Sequence, residues 1–168
     1  MAIDITYKKI QGKNLEVYPL IDLVINNLDV REFYRPYSEE ELRLLFCESC
    51  FILHGAYSDE KLVALGHLDV NEEDNLEKYG MLLNISSGKI CELGGYLVSP
   101  DYRGLGIMNG LVNTHFHTAY EMGFEHVLST VHPDNIASKS VLEKHMPLYR
   151  ANYMYNGFVR DVYYKKLK

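Results

Sequence analysis

Val98-Ser99-Pro100-Asp101-Tyr102-Arg103-Gly104-Leu105-Gly106-Ile107-Met108 decides how this chain reads. Leu93 to Val98, an apolar run with strand character, enters it, and Leu105 to Met122, with a helical pattern, leaves it. Glycine at 104 and 106 lets the backbone turn tightly and approach a ligand with no Cβ in the way. The helix that opens there aims its free N–H groups, and the positive end of its dipole, into the turn. Such a turn is an anion cradle, and a pyrophosphate is its natural occupant.

Two other phosphate-binding patterns fail. A dinucleotide fingerprint needs Gly-x-Gly-x-x-Gly, and Asn109 stands where its third glycine belongs. A triphosphate loop needs a Gly-Lys-Ser/Thr ending that the chain lacks here. The turn also lies past the midpoint of the chain, behind a hairpin and not a βαβ unit.

Arg103-Gly104-Leu105-Gly106-Ile107-Met108 resembles the acyl-CoA loop of the GNAT acetyltransferase superfamily, whose pattern is Gln/Arg-x-x-Gly-x-Gly/Ala after a strand. Arg103 and Gly106 fit it, while Met108 takes a place that is usually small. About thirty residues on, Asn135-Ile136-Ala137-Ser138 through Leu142-Glu143-Lys144 is similar to a second family element, Asn-x-x-Ala/Ser-x-x-x-Tyr-Glu-Lys. The resemblance runs from about residue 3 to the C-terminus. It implies an α/β fold with a GNAT-like mixed, mostly antiparallel central sheet of about seven strands and helices on both faces. It also implies acetyl-CoA as co-substrate, held by Leu97, Val98, Arg103, Gly104, Leu105, Gly106, Ile107 and Met108, with the Asn135 amide on the pantetheine arm.

The bulk of the chain agrees. Its 168 residues suit one domain, 1–168, with a single sizeable core. A net charge of −6 argues against nucleic acid as a partner, which usually wants a basic face. With no long apolar span, and with Met1 to Tyr7 unlike a signal peptide, no membrane role is expected. Cys47, Cys50 and Cys91 are an odd number of thiols without an export signal, which fits a cytoplasmic protein with reduced cysteines. Cys47-Glu48-Ser49-Cys50 has no second pair to make a metal or redox centre, so no metal is expected.

Along the chain, Ile5 to Ile10 reads as an edge strand and Asn14 to Leu28 as a helix softened by Pro19. Asp29 to Tyr37 reads as an aromatic loop, and Ser38 to Glu41 as a capping box opening a second helix. Phe51 to Tyr57 and Leu62 to Val70 form a hairpin, followed by a helical insertion over Glu72 to Leu83. Ile90 to Val98 is the strand before the turn, and its Gly94-Gly95 pair signals a bulge. In the family such a bulge splays this strand and opens the pantetheine slot. His126 to Val131 is the next strand. The C-terminal hairpin is Ala151 to Tyr155 and Phe158 to Leu167, with Asn156-Gly157 suited to a type I′ turn. The resemblance also implies a possible homodimer through the sheet edge or C-terminal strands, which the apolar run Phe158 to Leu167 would allow.

Moving an acetyl group from a thioester to an amine makes three demands. A backbone N–H near Val98 would polarise the carbonyl. A base must take a proton from the amine, which arrives as an ammonium. The departing thiolate needs a proton or another source of stabilisation. Glu92 is the first candidate base, six residues before Val98 and so expected on the same face of the strand; an exposed or ion-paired strand glutamate is the plainer alternative. His132, at the end of the next strand, is the second candidate base. The family tyrosine that would act as acid is replaced by Leu142, which leaves Tyr149, with Tyr153 and Tyr155 nearby, or solvent. That gap keeps a non-catalytic acyl-CoA sensor as the alternative function. The acceptor expected is a small-molecule or peptide amine. Arg31 and Arg35, if they face inward, would hold an acceptor carboxylate; if they face outward, the acidic balance favours a polyamine or aminoglycoside-like cation. His115 continues an apolar helix face and reads as a satisfied core histidine, with His117 on another side.

Overall fold

A computed structural model describes residues 4–155 and 157–168. Among the described residues, seven strands form one sheet and five α-helices cover it. The strands are β1 (Thr6–Lys9), β2 (Phe51–Ser58), β3 (Lys61–Asp69), β4 (Ile90–Val98), β5 (His126–Val131), β6 (Leu148–Tyr155) and β7 (Phe158–Lys166). The helices are α1 (Val17–Asn26), α2 (Glu39–Leu44), α3 (Glu72–Leu83), α4 (Ile107–Glu121) and α5 (Ile136–Leu142). The seven strands lie in the order β1-β2-β3-β4-β5-β7-β6. Only β4 and β5 run parallel, so the sheet is mixed and mostly antiparallel, as expected.

Local chemistry explains the element ends. Pro19 sits in the first turn of α1, where its missing N–H would have had no intrahelical partner, so the helix continues through it. Ser38 and Glu41 exchange both bonds of the capping box at the start of α2. Asn71 caps α3, accepting from the Asp74 N–H at 3.4 Å. The expected C-terminal turn rests on Asn156, outside the described residues, as do Met1 to Ile3 of the N-terminal reading. The hairpin begins three residues earlier than expected, at Leu148. β7 is an inner strand, flanked by β5 and β6, so Phe158 to Leu167 offers no free edge for dimerisation; the edge strands are β1 and β6.

α4 and α5 cover one face. Leu111, Val112 and Ala119 of α4 bury against Ala56, Val63, Cys91 and Leu93, and Leu142 of α5 joins them. α1 packs on the other face, with Leu20 and Val24 against Phe51, Leu65 and Leu97. α3 shares that face, burying Tyr79 against Ile90, Leu128 and Val162. Among the described residues, no helix is long and apolar enough to cross a membrane.

Candidate active site

β4 carries the feature that opens the site. Ala64 pairs with Val98 and Leu65 with Leu97, but His67 pairs with Gly94, so β4 advances three residues while β3 advances two. Gly95 absorbs the extra residue at φ +61°, in the left-handed region. A Cβ there would strike Tyr37 Oη and His67 Nδ1, so glycine is required twice over. This is the bulge that Gly94-Gly95 signalled.

The bulge corrects one expectation. Counting by twos places Glu92 and Val98 on one face, but the inserted residue inverts the alternation. Glu92 turns towards Tyr79 of α3, whereas Val98 packs with Ile107 and Leu111 of α4. The Val98 backbone remains well placed. The Ser99 N–H donates to Val63 C=O on β3 at 2.8 Å, so the alternation of the strand turns the Val98 N–H away from β3. On that side β5 has parted from β4, since their pairing ends at Glu92 with Leu128.

The gap between β4 and β5 opens into a cavity of about 720 Å³. At one end lies the glycine turn, with Gly104 at φ +76° and Gly106 at φ +75°. A Cβ on either would meet nothing within 4 Å, so open space faces the turn. The first intrahelical bond of α4 runs from the Gly110 N–H to Gly106 C=O at 3.2 Å, which leaves the earlier N–H groups free for an anion. Leu97, Val98, Arg103, Gly104, Gly106, Ile107, Met108 and Asn135 all lie on the cavity wall. Leu105 does not; its side chain is 50% exposed, because the turn points it outward. Met108 both packs on the core under α4 and borders the cavity. Asn135 caps α5, accepting from the Ser138 N–H at 3.1 Å. These features fit a CoA thioester: an anion cradle leading into a slot between two parted parallel strands.

Glu92 stands on the wall beyond that slot. Tyr79 Oη donates to its Oε2 at 2.6 Å and Thr130 Oγ1 to its Oε1 at 3.2 Å. Burial raises its pKa, the Tyr79 hydrogen bond opposes this, and the Asp69 charge raises it further. Asp69, directly across the β3–β4 pair, is raised chiefly by burial too. His67 sits two residues away on the same side of β3; its Nδ1 shares a 2.6 Å hydrogen bond with Tyr37 Oη, and burial lowers its pKa to about 4. Asp69 and His67 escaped the sequence reading, although two polar residues at alternate positions of an apolar strand were the available signal.

The remaining candidates separate. His132 lies off the cavity wall, its ring tilted against Phe33 at 5.2 Å, with its Nδ1 accepting the Asp134 N–H at 3.2 Å. Tyr149 is not positioned as an acid: it is 45% exposed on the edge strand and donates to Leu82 C=O at 3.2 Å. Tyr153 is also absent from the wall, whereas Tyr155 lies on it, stacked with Tyr79 at 5.6 Å. Leu142 borders the cavity yet is only 1% exposed, packed in the core. Arg31 lies outside the wall, and Arg35 is on it but bound to Glu41. His115 is buried, bonded through Nδ1 to Tyr96 Oη at 2.7 Å, but its Nε2 has no partner among the described residues, so it is only half satisfied.

Residues 23–146 match the model of the Acetyltransferase (GNAT) family, well over half of the chain. This chain belongs to the GNAT acetyltransferase family. It is an acyltransferase, and acetyl-CoA is the donor its family uses. No curated protein matches its sequence. Solved structures share the GNAT fold over nearly the whole chain. A subunit of a NatC complex bound to Gag peptide and CoA superposes with a TM-score of 0.75 at 16% identity, over 99% of this chain and 100% of that one. NAA60 of Arabidopsis thaliana, in complex with a bisubstrate analogue, gives 0.67 at 17% identity, over 96% and 95%. The ribosomal-protein-S18-alanine N-acetyltransferase of Escherichia coli gives 0.64 at 15%, over 96% and 91%. At these identities the likeness speaks for the fold of this GNAT acetyltransferase and leaves its acceptor to be argued from its own residues.

Proposed function

We propose that this GNAT enzyme, acting as one domain over residues 1–168, moves the acetyl group of acetyl-CoA directly to a primary amine of a small molecule or peptide. Both substrates are bound together. The observation that carries this reading is one cavity with the glycine turn at one end and a half-buried carboxylate, Glu92, on the wall beyond the β4–β5 gap.

Arg103, Gly104, Gly106, Ile107 and Met108 hold the pyrophosphate, while Leu97, Val98 and Asn135 line the pantetheine arm. The Val98 N–H donates to the thioester oxygen as negative charge grows there. Glu92, its pKa raised by burial, takes a proton from the acceptor ammonium, directly or through a water. The freed nitrogen attacks the carbonyl carbon, the C–N bond forms, the C–S bond breaks, and the nitrogen sheds its second proton to solvent to become the amide. CoA leaves as a thiolate and takes its proton from solvent or from Tyr155, the one tyrosine of the C-terminal hairpin among the wall residues. A thiol pKa of about 8.5 makes the thiolate a tolerable leaving group near neutral pH. Three free cysteines fit a cytoplasmic setting.

Thiol release from acetyl-CoA across a panel of amines, with Glu92→Gln alongside, tests this. Turnover that the variant loses supports the reading. Turnover equal in both discards Glu92 as base. Tight acetyl-CoA binding with no turnover on any amine supports the sensor that Leu142 keeps open.

A further inference from the structure

Two guanidiniums stand on the wall away from the glycine turn, and their charge states of pairing differ. Arg35 is held as a fork by Glu41, with Nη2 to Oε1 at 2.6 Å and Nη1 to Oε2 at 3.1 Å. Arg160, on β7, belongs to no ion pair among the described residues. It is nevertheless only 6% exposed. Its Nη1 donates to Val159 C=O at 3.0 Å and its Nη2 to Glu32 C=O at 3.2 Å. Two neutral carbonyls orient the fork without cancelling its charge, and further N–H groups remain to donate. Burial and the Arg35 charge both push its pKa down. A buried cation that nothing neutralises is costly, and a bound anion would remove that cost.

The strand alternation fixes which side this guanidinium serves. Arg160 shares a face with Val162, which packs on Tyr79 of α3, while Asp161 turns the other way to Lys139 of α5 at 2.6 Å. Arg160 is therefore on the side of Glu92, opposite α4. Val162 pairs with Thr130, the residue that donates to Glu92. Arg160 lies two residues along β7 from that pair, about 7 Å at the rise of a strand. The cavity thus has an acidic group at one place and an unneutralised guanidinium within a small molecule's length of it. The end near Arg160 is walled by the chain itself: its bond to Glu32 ties β7 to the Arg31–Phe33 turn, and Phe33 packs against His132.

We propose that Arg160 binds a carboxylate of the acceptor, so that this enzyme acetylates small zwitterions, amino acids or short peptides, with the ammonium towards Glu92 and the carboxylate towards β7. The proposal rests on the acetyltransferase reading above and names its substrate class. It takes neither Arg31 nor Arg35, the arginines the sequence offered on condition that they face inward, but a residue that neither composition nor motif marks.

The test is calorimetry on the full chain saturated with CoA, titrating glycine, β-alanine, γ-aminobutyrate and glycylglycine, each against its own amide. At least one acid binds about tenfold tighter than its amide, the scale of a charge-assisted hydrogen-bonded pair. Arg160→Gln brings that ratio close to one, and Arg160→Lys, which keeps the charge but not the fork, leaves it between. Acids and amides binding alike in the wild type overturn the proposal, as does a preference that survives in Arg160→Gln. The wild-type comparison decides even if Arg160→Gln does not fold. Thiol release measured in parallel separates the two claims. An acid preference in binding without thiol release sinks the transferase reading and keeps the anion site. Thiol release as fast with polyamines or amides as with acids does the reverse.

Discussion

The two ends of the cavity are built in opposite ways. The donor end is almost one piece of chain: Leu97 to Met108 supplies a strand, a left-handed turn and a helix start, and Asn135 joins from α5. The acceptor end is assembled from separated elements, with Arg35 and Glu41 from the loop and α2, His67 and Asp69 from β3, Glu92 from β4 and Arg160 from β7. In the proposed reading the donor end binds through backbone N–H groups, whose placement depends on dihedral angles, and the acceptor end works through side-chain charges, whose behaviour depends on what the fold places beside them. Conformation is coded locally; electrostatic environment is not.

The sharpest way to break this comparison is Glu92→Gln. Loss of a general base lowers kcat by roughly a hundredfold or more, with acetyl-CoA affinity unchanged. Because burial raises the Glu92 pKa and only its ionised form accepts a proton, kcat/KM of the wild type climbs with pH through an inflection above the usual carboxylate range. The variant loses that inflection. An acetyl-CoA affinity that falls along with kcat would show the two ends to be one unit.

Gly106→Val attacks the other end. A β-branched residue at φ +75° strains or unwinds the turn, at a cost of about 1–2 kcal/mol. Acetyl-CoA affinity, read by calorimetry, drops by about tenfold or more, and binding of the acceptor alone stays within about twofold. Unaltered acetyl-CoA binding would remove the turn from the donor site.

Glu41 ties the acceptor end to helix capping, so its variants give smaller effects. Glu41→Ala removes both the Arg35 pair and the Ser38 N–H acceptor, costing about 1–2 kcal/mol in chemical denaturation. Glu41→Gln keeps the cap and loses less. Burial alone would raise the Glu41 pKa; the Arg35 and Ser38 hydrogen bonds outweigh it and bring it to about 2. Equal losses in the two variants would mean that the ion pair adds nothing.

The smallest effect concerns pH. Burial holds His54 and His67 near a pKa of about 4, below an unfolded value of about 6.5. As pH falls, the unfolded chain takes up protons first, so stability present above pH 6.5 is lost progressively towards pH 4. Each histidine accounts for roughly half to one kcal/mol by pH 6, and His67→Gln flattens its share of the thermal-midpoint profile.

Most of the fold was legible because its signals are short-range. Strand and helix periods, the Ser38–Glu41 capping box and the Gly94-Gly95 bulge each lie within a few residues, and β4, β5 and α3 fall where their residues predict. The misjudgements share one cause. Counting alternate residues from Glu92 to Val98 fails because one inserted residue inverts every side chain after it. Proximity in sequence points to Tyr149, but β6 carries it to the sheet edge, against Leu82. The sequence leaves open whether Arg35 faces inward; the structure places it on the cavity wall with its charge neutralised by Glu41.

By itself the sequence determined the family, the glycine turn and the order of strands and helices. Each of these follows from a contiguous run whose dihedral preferences and apolar spacing need no distant partner. Only the tertiary structure decided which charged groups line the cavity and in what state: Glu92 raised beside Asp69, Arg35 neutralised, Arg160 buried without a counter-ion among the described residues. A charge takes its meaning from burial and from neighbours within a few ångströms, and strands far apart in the chain supply both.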